Sequence, residues 1–384
     1  MNNIKVCIVT GTRAEYGLLK PVMEAIQKEG HLRLQVVATG AHLFPGSGMT
    51  IKEIIKDGFK IDAKVKMTPP EDTVSATAES IGKGIIGISK TFKKIRPDIV
   101  VVLGDRVEAL AAAIAAVYSK IALAHIHGGD SPKAGFDEYA RHAITKLAHI
   151  HFPVTQMSAK RIIKMGENPK NIYVVGAPGL DSIFHEKFLG KGKIEKKYNL
   201  DLSLPLLLVI HHSVSTEDAD ALLQVQETLK AVTDLRFQTI IIYPNVDAGG
   251  RRIAGTIEKY RRYSFVRIFK NIPRQDYLGL LRVASVLVGN SSSGIIEAPA
   301  VHLATVNIGS RQDGRERTCN VIDVPYDRKK IKEAINKAIN DKNFRARLAK
   351  CKSIYGDGNA GFKIAKILGS IKIEKELFQK KITY

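Results

Sequence analysis

Val288-Gly289-Asn290-Ser291-Ser292-Ser293-Gly294-Ile295-Ile296-Glu297 is the stretch on which the reading of this chain turns. The apolar run leading into it, Ala284 to Val288, reads as a buried strand. It ends in Gly-Asn, three hydroxyls and a second Gly, and an apolar helical pattern follows. A strand–turn–helix of this composition presents free backbone N–H groups and small hydroxyls at a helix start, a favourable place for an anion. Glu297 falls one helical turn further on, placed to accept from a ribose diol. The plain alternative is a Ser-capped, Gly-rich turn with no ligand.

Working outward, short apolar runs alternate with amphipathic helical patterns. The first half offers strands at Ile4–Val9, Leu34–Ala38, Ile99–Leu103, Ile121–His125 and Ile172–Val175. The second half offers Leu206–Ile210, Thr239–Tyr243, Ser264–Ile268, Ser285–Val288 and Ala304–Ile308. Between them lie stripes such as Val107, Leu110, Ile114 and Val117. Such alternation means an α/β chain with parallel sheets and helices on both faces, and ligands at the carboxyl ends of the strands. A length of 384 residues calls for two domains. The Lys-, Glu- and Gly-rich segment from Phe184 to Asp201 reads as the boundary, giving domains at 1–184 and 202–355 and a last helical segment at 356–384.

Composition is globular, with 45% hydrophobic and 25% charged residues. No apolar run is long enough to span a bilayer, and Ile4–Val9 reads as a first strand, not a signal-peptide core. Three widely spaced cysteines, Cys7, Cys319 and Cys351, give no metal pattern, and their odd number argues against a disulfide framework. A reduced, cytoplasmic enzyme is expected. The formal net charge of +21 is dispersed, no nucleic-acid motif accompanies it and there is no Trp. It reads as a solvated basic surface that attracts a phosphate-bearing substrate, with no nucleic-acid or membrane partner.

Other strand ends carry chemistry. Thr10-Gly11-Thr12-Arg13 opens a helix without the dinucleotide fingerprint, and Arg13 suits a diphosphate. At Gly104-Asp105-Arg106 the carboxylate reads either as a helix cap or as a general acid or base. The densest cluster runs His125-Ile126-His127-Gly128-Gly129-Asp130, then Asp137 to His142. Proton transfer is one reading. Metal ligation by His125 and His127 on one strand face is its rival, with no clear third ligand. Arg141 also fits an i,i+4 pair with Asp137. His211-His212-Ser213 ends the Leu206–Ile210 strand, and Tyr243-Pro244-Asn245 opens a turn. The loop Ser310-Arg311-Gln312-Asp313-Gly314-Arg315 suggests anion handling.

Together these motifs resemble the hydrolysing UDP-N-acetylglucosamine 2-epimerases of sialic- and legionaminic-acid pathways, over nearly the whole chain. The resemblance rests on Gly11–Tyr16, Thr39–Leu43, Gly104–Arg106, His125–Asp130, Arg141–His149, Tyr243–Asp247, Gly289–Glu297 and Gly309–Arg315. It implies the GT-B architecture: two Rossmann-like parallel-sheet domains with a cleft between them, and a C-terminal helix packed back on the N-domain. It implies epimerisation at C2 with loss of the nucleoside diphosphate from C1, and hydrolysis to N-acetylmannosamine plus UDP. By position, Asp105 and His212 match acid/base or leaving-group residues, Arg13 a diphosphate contact, and Ser291, Ser292 and Glu297 the nucleotide site. Some relatives carry Glu where this chain has His127, and often Pro where it has Ser213.

The expected catalytic set is Asp105, His127, Asp130 and His212. The expected substrate contacts are Arg13, His42, Arg106, Asp137, Arg141, Asn245, Ser291, Ser292, Ser293, Glu297, Arg311 and Arg315. No cofactor or metal is expected, and relatives suggest a homodimer or homotetramer. The alternatives are a non-hydrolysing 2-epimerase, a GT-B glycosyltransferase, or a catalytically altered nucleotide-sugar-binding protein.

Overall fold

The computed structural model describes residues 3–67, 74–131, 137–214, 217–244 and 250–384. They form two compact units. Unit 1 contains residues 3–130, Asp137–Phe184 and Tyr355–Tyr384, and unit 2 contains His185–Ile354.

Unit 1 is built on β1 (Ile4–Thr10), β2 (Leu32–Thr39), β3 (Ala63–Val65), β4 (Ile99–Leu103), β5 (Ala122–Ile126) and β6 (Ile150–Phe152). Unit 2 is built on β7 (Leu206–Ile210), β8 (Gln238–Ile242), β9 (Val266–Phe269), β10 (Val286–Gly289), β11 (Ala304–Ile308) and β12 (Val321–Val324). The spatial orders are β3-β2-β1-β4-β5-β6 and β12-β11-β10-β7-β8-β9, and all pairings are parallel. Read from its own first strand, each sheet therefore has the same 3-2-1-4-5-6 order. This is the doubly wound arrangement in which ligands bind where the winding reverses. In unit 1 the reversal lies between β1 and β4, and in unit 2 between β7 and β10.

The strands are near-continuous apolar runs because both sheet faces are covered. Along β1, Val6 and Ile8 pack with Leu19, Met23, Ile364 and Leu368. Cys7 and Val9, on the other face, pack with Ile88, Phe92, Ala112 and Ala116. In unit 2, Leu207 and Val209 pack with Val225, Leu229 and Ile331, and Leu206 and Leu208 with Ile194, Leu280 and Leu281.

The α/β expectation holds, with several corrections. Ile172–Val175 is not a strand: it makes one bridge, His151 to Ile172, beside β6. Three short edge strands, β3, β6 and β12, were not foreseen. In the helix Val107–Tyr118 the buried residues are Glu108 and alanines such as Ala109, Ala112 and Ala116. The expected Val107–Leu110–Ile114–Val117 stripe is only partly buried, because small side chains let the neighbouring helix Val74–Ile95 approach. The expected linker contains the helix Lys191–Tyr198, whose Ile194 and Tyr198 are buried in the unit 2 core. Cys319 and Cys351 are paired in a disulfide, against the expectation of reduced thiols, and Cys7 is buried and free. Folding closes a sequence separation of 32 that spacing alone did not reveal. Among the described residues, no helix is long and apolar enough to cross a membrane.

Candidate active site

The reversal point of unit 1 brings together β1, β4 and the neighbouring β5. Asp105 does not cap the helix that follows it, for the N-cap residue there is Arg106 and no side chain caps. The Asp105 carboxylate instead accepts from the Arg141 guanidinium. Arg141 is 2% exposed and also donates to Glu138 Oε2 (2.5 Å) and to the Asp130 carbonyl (3.2 Å). Its guanidinium thus ties the end of β4 to the end of β5. The Asp137 side chain, its expected i,i+4 partner, lies outside the described residues.

At the end of β5, His127 Nδ1 lies 3.0 Å from Asp130 Oδ2. Ser158 donates to the other Asp130 oxygen at 2.8 Å. An aspartate holding Nδ1–H fixes the tautomer and leaves Nε2 as the free, basic nitrogen. His125 has a different task. Its Nε2 donates to the Gly104 carbonyl at 2.7 Å, which pins the turn carrying Asp105. Burial pushes His125 down to about 3, so the ring is neutral. The two rings are thus committed to different partners, and among the described residues no group of three or more His, Cys, Asp or Glu is arranged to hold a metal ion.

Three groups, at the ends of β1, β4 and β2, complete this edge. Arg13 pairs with Glu53 at 2.8 Å. Arg106 is exposed, its Nε 3.3 Å from Glu108 Oε2. His42 is buried between Thr10 (3.2 Å) and Thr50 (2.8 Å), and burial lowers it to about 4. Beneath them are two carboxylates that sequence reasoning missed. Glu15 accepts from the Gly11 N–H at 2.7 Å. Burial raises it to about 7, with Gly11 opposing and Glu108 adding to the rise. A Cβ on Gly11 would fall 2.5 Å from Glu108 Cγ, so the turn tolerates only glycine. The Thr12-x-x-Glu15 pattern, a capping-box spacing, was the available signal.

The reversal point of unit 2 is locked by Asn290. It accepts from the His212 N–H (2.7 Å) and donates to the His212 carbonyl (2.8 Å), joining the ends of β7 and β10. Gly289, at φ +131°, lets β10 approach β7, since a Cβ there would lie 2.0 Å from the Ile210 carbonyl oxygen. His212 is held well below the usual imidazole value by burial, then by Arg311 and His211, so its ring is neutral. Ser292 precedes only a single helical turn, Ser293–Ile296, so the expected helix contributes little dipole. The anion-attracting charge comes from arginine. Arg311 donates to the Asn290 carbonyl at 3.2 Å. Nε and Nη1 of Arg315 are buried and lack a hydrogen-bond partner among the described residues. Ser291 Oγ accepts from the Ser293 N–H at 3.3 Å. Glu297 is paired with Arg274 at 2.9 Å and accepts from Ser293. Asn245 lies outside the described residues.

Two Rossmann-like sheets of the same winding, each with polar groups gathered at its reversal point, define the GT-B class of α/β protein. The chain belongs to the UDP-N-acetylglucosamine 2-epimerase family, whose model matches residues 24–369. It is 37% identical over 376 residues, covering 98% of both chains, to a hydrolysing UDP-N,N′-diacetylbacillosamine 2-epimerase of Legionella pneumophila. It is 32% identical over 343 residues, 89% of each chain, to a UDP-N-acetylglucosamine 2-epimerase of Neisseria meningitidis. In fold it is similar to a UDP-GlcNAc 2-epimerase from Neisseria meningitidis solved with UDP-GlcNAc (TM-score 0.83, 20% identity, 95% of this chain and 99% of that one). A UDP-GlcNAc 2-epimerase from Methanocaldococcus jannaschii, solved with UDP-GlcNAc and UDP, is also similar (TM-score 0.78, 21% identity, 95% and 99% covered).

Proposed function

We propose that this enzyme is a hydrolysing 2-epimerase of a UDP-activated 2-acetamido sugar. The observation that carries the reading is the pair of acid–base groups at adjacent strand ends, Asp105 held by Arg141 and His127 held by Asp130. The Asp105 carboxylate caps no helix. In the proposed reaction His127 Nε2 takes the proton from C2. The C2–H electron pair becomes the C1=C2 bond, and the C1–O bond breaks as UDP leaves with its pair. Water then adds at C1, and a proton returns to C2 on the opposite face, with Asp105 as the second acid–base group.

Unit 2 is assigned the nucleotide, through Ser291, Ser292 and Glu297. Arg311 and Arg315 offset the diphosphate charge, and the neutral His212 ring donates to a leaving oxygen. Arg13 and Arg106 are assigned to the diphosphate from unit 1. In its simplest form the substrate is UDP-N-acetylglucosamine and the products N-acetylmannosamine and UDP. The 37% identity to an enzyme named for diacetylbacillosamine favours a sugar with a second N-acetyl group.

Both substrates should be incubated with the enzyme in deuterated water and followed by NMR. The expected result is free sugar in step with UDP, inverted at C2 and carrying one deuterium there. Retention of the sugar on the nucleotide would mean a non-hydrolysing epimerase. Turnover only with an added acceptor would mean a glycosyltransferase. Either result overturns the proposal.

A further inference from the structure

Behind the serine turn of unit 2 lies a second layer of polar side chains on the helix Arg274–Val283. Arg274 Nη2 is 2.9 Å from Glu297 Oε1. Tyr277 Oη is hydrogen-bonded to Ser293 Oγ, and Ser293 Oγ donates to Glu297 Oε2. Burial first, then Glu297, pushes the Tyr277 hydroxyl upward, so it stays protonated and donates along this chain. The start of the helix is itself fixed, because Asp276 accepts from Tyr198 Oη at 2.5 Å and pairs with Lys197 at 2.5 Å. Both oxygens of Glu297 are therefore held from one side.

A carboxylate has about four acceptor positions. Ser293 takes one on Oε2. Arg274 stands beside Oε1 within ion-pair distance, yet Oε1 has no hydrogen-bond donor among the described residues. Oε1 is buried against Arg274, so the second acceptor position on Oε2, beside Ser293, is the one left for a ribose hydroxyl.

We infer that Arg274 and Tyr277 are positioning residues for ribose: they fix the orientation of the Glu297 carboxylate, so that this site selects ribonucleoside over deoxyribonucleoside diphosphates. The inference rests on the nucleotide reading of unit 2 given above. Neither side chain needs to touch the ligand.

Calorimetric titration of the full chain with UDP and with 2′-deoxy-UDP tests it. Wild type should bind UDP about tenfold or more tighter than 2′-deoxy-UDP, the scale of one hydrogen bond to a charged acceptor. Arg274→Met should weaken UDP by about tenfold and 2′-deoxy-UDP by less than about twofold, so that the preference collapses. Arg274→Lys should restore part of it. Tyr277→Phe, which removes one oxygen, should lower the preference by about threefold. Equal weakening of both nucleotides in Arg274→Met, or an unchanged preference in Arg274→Met and Tyr277→Phe, overturns the inference and leaves the nucleotide site standing. If wild type binds neither nucleotide, the nucleotide reading falls and the inference falls with it. Should Arg274→Met fail to fold, Tyr277→Phe and Arg274→Lys decide the question.

Discussion

His127 has φ +65°, a left-handed conformation that residues with a Cβ rarely adopt. A glycine there would relieve roughly 1 kcal/mol of backbone strain. The chain keeps an imidazole instead, fixed by the Phe152 carbonyl through its own N–H (3.2 Å) and by Asp130 through its ring. His127→Ala is expected to lower turnover by about 100-fold or more, the range for loss of a general acid or base. His127→Gly should lose as much activity while keeping stability within about 1 kcal/mol of wild type, because relieved strain offsets the lost side-chain bond. Near wild-type turnover in either variant would make the residue structural. Most members of this site were legible as residues, because polar groups at the carboxyl end of an apolar strand stand out. Their partners were not. Arg141 reaches Asp105 across 36 positions and Arg274 reaches Glu297 from another helix, and local spacing encodes neither pairing. His125 was legible as a member of the acid–base cluster or of a metal pair, and its backbone partner Gly104 needed the β4–β5 register.

The long central strands could be read from sequence because both their faces are buried, which forces runs such as Ile99–Leu103. The edge strands β3, β6 and β12 have three or four residues each, and each has a full strand on one side only, β6 adding the single bridge to Ile172. So short a strand has no periodicity to detect, and its existence depends on a neighbour that is already in place. The Cys319–Cys351 disulfide is another product of tertiary structure. Cys319 follows the loop that bears Arg311 and Arg315 and stands just before β12, and Cys351 follows the helix Lys342–Ala349. Closing a loop of 32 residues restricts the unfolded chain by roughly 3–4 kcal/mol in the chain-entropy account. Reduction, or Cys319→Ser, should therefore lower the melting temperature of unit 2 and leave unit 1 unchanged in calorimetry. A scan in which reducing agent moves neither transition would show that the bond carries no stability.

For the molecule as a whole, the buried histidines set the response to acid. Burial lowers His125 and His211 to about 3, and His42 and His149 to about 4, from an ordinary value of 6.5. Between those values the unfolded chain binds protons that the folded chain refuses. The stability these rings contribute is thus complete above 6.5 and is lost as pH falls toward 4, at up to about 1.4 kcal/mol per pH unit for each ring. Glu15 acts in the opposite sense. Raised from 4.5 to about 7, it favours the folded state at low pH, and that contribution is lost as pH rises through this window. Four groups outweigh one, so the urea midpoint should fall steadily from pH 7 to pH 4.5. A flat profile would mean that the rings are already charged in the folded protein.

The return of Tyr355–Tyr384 to unit 1 also has a consequence for biosynthesis. Ile364 and Leu368 complete the core against the helix Arg13–Lys28, and the Asp181 carboxylate accepts from the N–H groups of Ala360 (2.9 Å) and Gly361 (2.7 Å). A ribosome delivers those residues only after it has made all of unit 2. The half that emerges first therefore waits with an apolar groove open while the second half is able to close on its own. A nascent chain at that stage exposes the kind of surface that chaperones hold and that aggregates. Expression of residues 1–184 alone would prolong this stage indefinitely.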